Sequence, residues 1–132
     1  MTAYQRLPKE VLDRASLRGN ENAWRVDDIP HVISAARDAN LLNVGGQLQF
    51  RLSDGGTCEC YWFDGDALRA IPGDKDWESR VVQAAITTLA DFKKLQTTYD
   101  FVAEGKRAFD KHLADDNLDA VMWFVWYVED QE

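Results

Sequence analysis

The chain has 132 residues, 45% of them hydrophobic and 11% aromatic, which is enough to bury a core and too apolar for a disordered segment. A formal net charge of −8 argues against DNA or RNA as a ligand, because phosphate binding requires a basic stripe. The longest apolar run, Ala120 to Val128, is nine residues and too short to span a bilayer, so no membrane association is expected.

In chain order, Pro8 followed by Lys9 through Gly19 predicts a first helix, with proline early and glycine as the stop. The first residues lack the apolar centre of a secretory leader, and a single cytoplasmic domain over 1–132 is the expectation. Gly19-Asn20-Glu21-Asn22 then predicts a loop leading into Ala23-Trp24. Asp27 or Asp28 predicts the N-cap of a second helix that runs to about Leu42, with Pro30 in its first turn and Ile29, Val32, Ile33 and Ala36 as its apolar stripe.

Gly45-Gly46 is expected to end that helix and open a hairpin over 44–63. Its alternation predicts a loop of Asp54-Gly55-Gly56, with Gly56 in the left-handed region. That register pairs Leu52 with Cys58, Phe50 with Cys60 and Leu48 with Trp62 on one face. The other face pairs Arg51 with Glu59, Gln49 with Tyr61 and Gln47 with Phe63. These six polar and aromatic residues form a candidate recognition patch, since partly exposed Tyr beside Arg makes an effective interface anchor. The alternative is an ordinary solvated sheet face.

The stretch 64–76, rich in Asp, Gly and Pro, reads as a loop. Asp76 then caps a third helix with Trp77, Val81, Ala85, Leu89 and Phe92 on one stripe. A fourth helical segment carries Tyr99, Val102, Phe109 and Leu113, and Asp115-Asp116-Asn117 ends it. The apolar run 120–128, rich in Val and aromatics, predicts a strand buried on both faces and placed beside the hairpin. The expected class is therefore α+β, a small antiparallel sheet of hairpin 44–63 plus strand 120–128 packed against about four helices.

No catalytic residue, metal site or cofactor follows from this pattern. His31 and Ser34 share a helix face without a nucleophile elbow around Ser34, and His112 near a helix end is ordinary dipole complementation. Asp64, Asp66, Asp74, Asp76 and Glu78 gather carboxylates without the glycine a calcium loop needs at its sixth position. Cys58 and Cys60, with two histidines in all, are a poor set for zinc and suit a reducing compartment. Trp24, Tyr61, Phe63 and Tyr127 sit where some of them are expected to reach the surface.

The charge is uneven. Residues 96–132 carry three basic and nine acidic residues and so supply most of the net charge. Asp115, Asp116 and Asp119 are the candidate acidic rim, able to steer a basic protein partner. A pocket between sheet and helices that takes a small molecule, and a homodimer closed by the hairpin patch, are the competing readings.

The stretch Gly45-Gly-Gln-Leu-Gln-Phe-Arg51, followed by Asp54-Gly-Gly-Thr-Cys-Glu-Cys-Tyr-Trp62, is similar to a group of small uncharacterised bacterial proteins with a comparable Gly-Gly-Gln…Arg…Asp-Gly…Glu-x-Tyr-Trp hairpin. The match covers about 18 of the 132 residues. In size, acidity and layout the chain resembles immunity proteins of bacterial toxin systems. The resemblance implies bacterial origin and toxin neutralisation, and brings no catalytic motif with it.

Overall fold

A computed structural model describes residues 2–52, 55–64, 76–113 and 118–131, without the side chains of 60–62, 64 and 110–113. After a 3₁₀ turn at Ala3–Arg6 come helix α1 (Lys9–Asp13), strands β1 (Ser16–Arg18) and β2 (Glu21–Trp24), a second 3₁₀ turn at Val26–Asp28 and helix α2 (Ile29–Asp38). Strands β3 (Leu42–Arg51) and β4 (Thr57–Asp64) follow, then helices α3 (Trp77–Thr98), α4 (Phe101–Leu113) and α5 (Leu118–Val121), and finally strand β5 (Met122–Glu129). The strands form one antiparallel sheet in the order β1-β2-β5-β3-β4. The fold is α+β, and the closing strand lies beside the hairpin as its composition predicts.

The first helix is shorter than predicted. It stops at Asp13, and Ser16–Arg18 instead pairs with Glu21–Trp24 across Gly19-Asn20, where Gly19 takes φ 63° as a hairpin turn residue. The second helix also ends early, for a local reason. Asn40 adopts φ 61°, its N–H donates to the Arg37 carbonyl at 2.9 Å, and the Leu41 N–H donates to the Ala36 carbonyl at 2.8 Å. These two bonds are the Schellman closure, and they release the chain into β3 at Leu42. Gly45 and Gly46 therefore lie inside a strand. A Cβ on Gly46 would fall 1.9 Å from the Val125 carbonyl oxygen, so only glycine allows β5 to approach this closely.

The predicted hairpin register is overturned in two steps. Leu52 N–H donates to the Gly56 carbonyl at 2.8 Å, and the positive φ falls on Gly55. The pairs are therefore Arg51 with Thr57, Phe50 with Cys58 and Gln49 with Glu59. A shift of two residues keeps every face. A bulge opposite Leu48 and Gln49 then inserts one residue, and beyond it Leu48 pairs with Tyr61, Gln47 with Trp62 and Gly46 with Phe63. One extra residue exchanges the faces. Phe63 accordingly leaves the polar face and enters the core, its ring 5.5 Å from Phe92 and 5.6 Å from Trp126.

Helices pack on the face that carries Leu48, Phe50, Phe124 and Trp126, all fully buried. Asp76 caps α3 as predicted, its Oδ1 accepting from the Ser79 N–H at 2.7 Å, a bond worth about 1 kcal/mol. Val81, Ala85 and Phe92 of the predicted stripe are buried. Full burial of Phe92 contributes roughly 1.5–3 kcal/mol. Trp126 is held by Nε1–H donating to Asn43 Oδ1 at 2.9 Å, while Asn43 Nδ2–H donates to the Ile33 carbonyl at 3.2 Å. Trp24, one of the four aromatics of which some are expected at the surface, is fully buried and donates to the Val11 carbonyl at 2.8 Å.

Candidate functional site

Two regions concentrate polar chemistry: the sheet face turned away from the helices, and a cleft at the start of β5.

On the sheet face, alternation along β3 puts Gln47, Gln49 and Arg51 on one side, and β2 and β5 add Glu21, Ala23, Val125 and Tyr127. The sheet curls here. Arg18, on one edge strand, donates from Nη1 to the Gly56 carbonyl at 2.9 Å, beside the first residues of the other edge strand. Inside the curl Gln47, Gln49 and Arg51 are buried, and Arg51 is only 4% exposed.

All three nitrogens of the Arg51 guanidinium donate to groups within the protein. Its Nε donates to Gln49 Oε1 at 3.2 Å, Nη1 to the Ser16 carbonyl at 2.6 Å and Ser16 Oγ at 3.0 Å, and Nη2 to the Glu21 carbonyl at 3.2 Å. The Glu21 carboxylate collects the rest. It accepts from Gln49 Nε2 at 3.2 Å, from Gln47 Nε2 at 3.4 Å and, through a short bond, from the Tyr127 hydroxyl. The network ties the β1–β2 hairpin across the face of β3 and β5.

The electrostatics follow from this burial. Removal from water pulls Arg51 below its ordinary value and the Arg18 charge acts the same way, with the Glu21 charge opposing. Burial raises Tyr127, and its hydrogen bond to Glu21 adds to the rise. Burial also pushes Tyr4 from 10.0 up to about 12, with the Glu21 charge contributing. Tyr4 donates its hydroxyl proton to the Trp126 carbonyl at 2.8 Å, one residue past Val125, where the β2–β5 pairing ends.

The recognition patch predicted from the hairpin is therefore dispersed. Gln47, Gln49 and Arg51 share the predicted face, yet they are buried and bonded within the molecule. Glu59 pairs with Gln49 and is exposed on the edge strand. Tyr61 pairs with Leu48, and its side chain lies outside the described residues. Phe63 is in the core. Tyr127 is half-buried, with its hydroxyl in the network. Sequence reasoning missed Glu21 as the hub, because Gly19 through Asn22 reads as a loop. The available signal was the alternation from Glu21 to Trp24, which puts Glu21 and Ala23 on one face and Asn22 and Trp24 on the other.

The cleft has a volume of about 370 Å³ and lies where the Val26–Asp28 turn, the end of α3 and the start of β5 meet. Val26, Phe101 and Met122 give it apolar lining, and Gln96 adds an amide. Asp27 and Asp119, both exposed, line it from two different elements. Arg25 also lines the cleft and is held in place. Its Nη1 donates to the carbonyls of Asp119 at 3.0 Å and Met122 at 2.9 Å, and its guanidinium stacks 4.0 Å from the centre of the Trp123 ring. Asp119 is thus the predicted rim residue that the structure sets beside a recess. Asp115 and Asp116 lie outside the described residues.

Among the described residues, no cluster of three or more His, Cys, Asp or Glu is arranged to hold a metal ion, and no helix is long and apolar enough to cross a membrane. His31, one of the candidates set aside above, is exposed with Nε2 3.4 Å from Glu10 Oε1. Comparison of the chain with protein families, curated proteins and solved structures finds no match.

Proposed function

We propose that this chain is a cytoplasmic protein-binding module, of the immunity or inhibitor kind, that neutralises a basic partner such as a toxin domain. The observation that carries the reading is the cleft, where the exposed carboxylates of Asp27 and Asp119 flank the apolar side chains of Val26, Phe101 and Met122. A lysine or arginine suits such a place, its alkyl stem covering the apolar wall while its charge meets the carboxylates. The net charge of −8 would speed encounter with a basic protein, and burial of the stem would slow release. Glu59 extends the acidic surface on the sheet edge. Gln47, Gln49 and Arg51 leave the binding surface in this reading, because they are buried and bonded within the molecule.

The test is affinity capture from lysate with the wild-type chain and with Asp27→Lys/Asp119→Lys. The expected result is capture of one basic protein by the wild type, with affinity roughly tenfold or more weaker for the variant at low salt and a smaller gap at high salt. A captured partner that is acidic, or one that the variant holds equally well, contradicts the reading.

A further inference from the structure

Helix α3 presents a second surface, separate from the cleft. Among the described residues the large apolar side chains left in water are Leu17 and, on this helix, Val82 at 46% and Ile86 at 59% exposure. Val82 and Ile86 sit one turn apart, and Ser79, Ala90 and Lys93, all exposed, continue the same stripe at spacings of three and four. The charges at the ends of the helix are opposed: Glu78 is exposed near its N-terminus, and Lys93 and Lys94 are exposed near its C-terminus.

We propose that α3 is a self-docking helix, which pairs antiparallel with α3 of a second copy of this chain about a two-fold axis at Ile86. The spacing supports this occupant. At 1.5 Å per residue, Glu78 lies about 12 Å before Ile86 and Lys93 about 10.5 Å after it. A two-fold axis exchanges these nearly equal arms. Each Glu78 then meets Lys93 of the second copy, twice per dimer, with Ile86 against Ile86 at the centre and Val82 beside the small Ala90. A parallel pairing would set lysine against lysine and glutamate against glutamate. The stripe thus complements itself in charge as well as in shape.

One helix pair covers less surface than the roughly 1,200–2,000 Å² of a durable complex, so the dimer is a dissociable one. None of the stripe residues lines the cleft, so the dimer and the binding of a basic partner stand or fall separately.

Sedimentation equilibrium on the full chain, from a few micromolar to about 200 µM, reads the proposal directly. The wild type is expected to show a monomer–dimer equilibrium with a dissociation constant in the micromolar range. Ile86→Glu should weaken it at least about tenfold, because two carboxylates then face each other at the axis. Glu78→Lys should weaken it roughly threefold to tenfold, and Glu78→Lys/Lys93→Glu should restore it to within about twofold. All three positions are exposed, and circular dichroism establishes that each variant keeps the fold. A chain that stays monomeric throughout the range, or dimers indifferent to Ile86→Glu, overturns the proposal. Failure of the exchanged pair to rescue Glu78→Lys overturns the antiparallel register.

Discussion

The curled sheet face and the cleft hold the same kinds of residue and do different things with them. On the sheet face a carboxylate, a guanidinium, two amides and a phenol are turned toward one another, and the Arg51 donors reach two backbone carbonyls of the first hairpin. At the cleft, Asp27 and Asp119 are exposed beside apolar groups, and Asp27 Oδ1 accepts from Gln96 Nε2 at 3.5 Å. The lesson is that residue type marks neither a binding site nor a structural clasp. What separates them is how far the charged groups are buried, 4% exposure for Arg51 against the exposed Asp27 and Asp119.

That contrast can be broken most forcefully at Arg51. Arg51→Ala leaves the Ser16 and Glu21 carbonyls without their buried donor and should lower stability by about 2–4 kcal/mol in urea denaturation. A loss below about 0.5 kcal/mol would place Arg51 with surface residues instead. Glu21→Gln keeps the shape while weakening the charge-assisted bonds from Tyr127 and the two amides, for an expected loss of about 1–2 kcal/mol in the same assay.

The network also predicts a dependence on pH. Tyr4 and Tyr127 are both raised in the folded state, so the unfolded chain releases these protons first. Their stabilisation is complete below the unfolded value near pH 10 and is lost as pH rises from about 10 toward 12. Urea midpoints at successive pH values should therefore fall above pH 10, and Tyr127→Phe should flatten that fall. The smallest effect on stability belongs to the cleft. Asp27→Lys/Asp119→Lys should change the unfolding free energy by no more than about 0.5 kcal/mol per site while altering binding.

Much of the fold was legible because its signals are local. Asp76 as a cap, the α3 stripe at Val81, Ala85 and Phe92, and the β-branched and aromatic run of β5 each act over a few residues. The structure bears out the first two and starts the strand at Met122 rather than Ala120, which with Val121 closes helix α5. The errors came from features without such a signature. The Schellman closure at Asn40 ended α2 early, although asparagine is a recognised residue for that position. The bulge in β4 carries no marker in its own residues, yet it moved Phe63 from the recognition patch to the core. The candidate site depended on a long-range fact, the β1–β2 hairpin folding against β3, which took Gln47, Gln49 and Arg51 out of solvent. Asp119 was legible as an acid near the C-terminus, whereas its neighbours Asp27 and Gln96 come from distant parts of the chain.

The proposed binding role requires the cleft to admit a basic group while the buried sheet face does not. The most direct measurement is a titration of the ¹⁵N-labelled chain with an arginine-rich peptide, followed through backbone and side-chain amide shifts. Movement is expected to be confined to Val26, Asp27, Gln96 and Asp119 through Met122 and to be abolished in Asp27→Lys/Asp119→Lys, with the Gln47, Gln49 and Arg51 side-chain signals unmoved. Shifts centred on those three side chains, or an unchanged response from the double variant, would contradict that role.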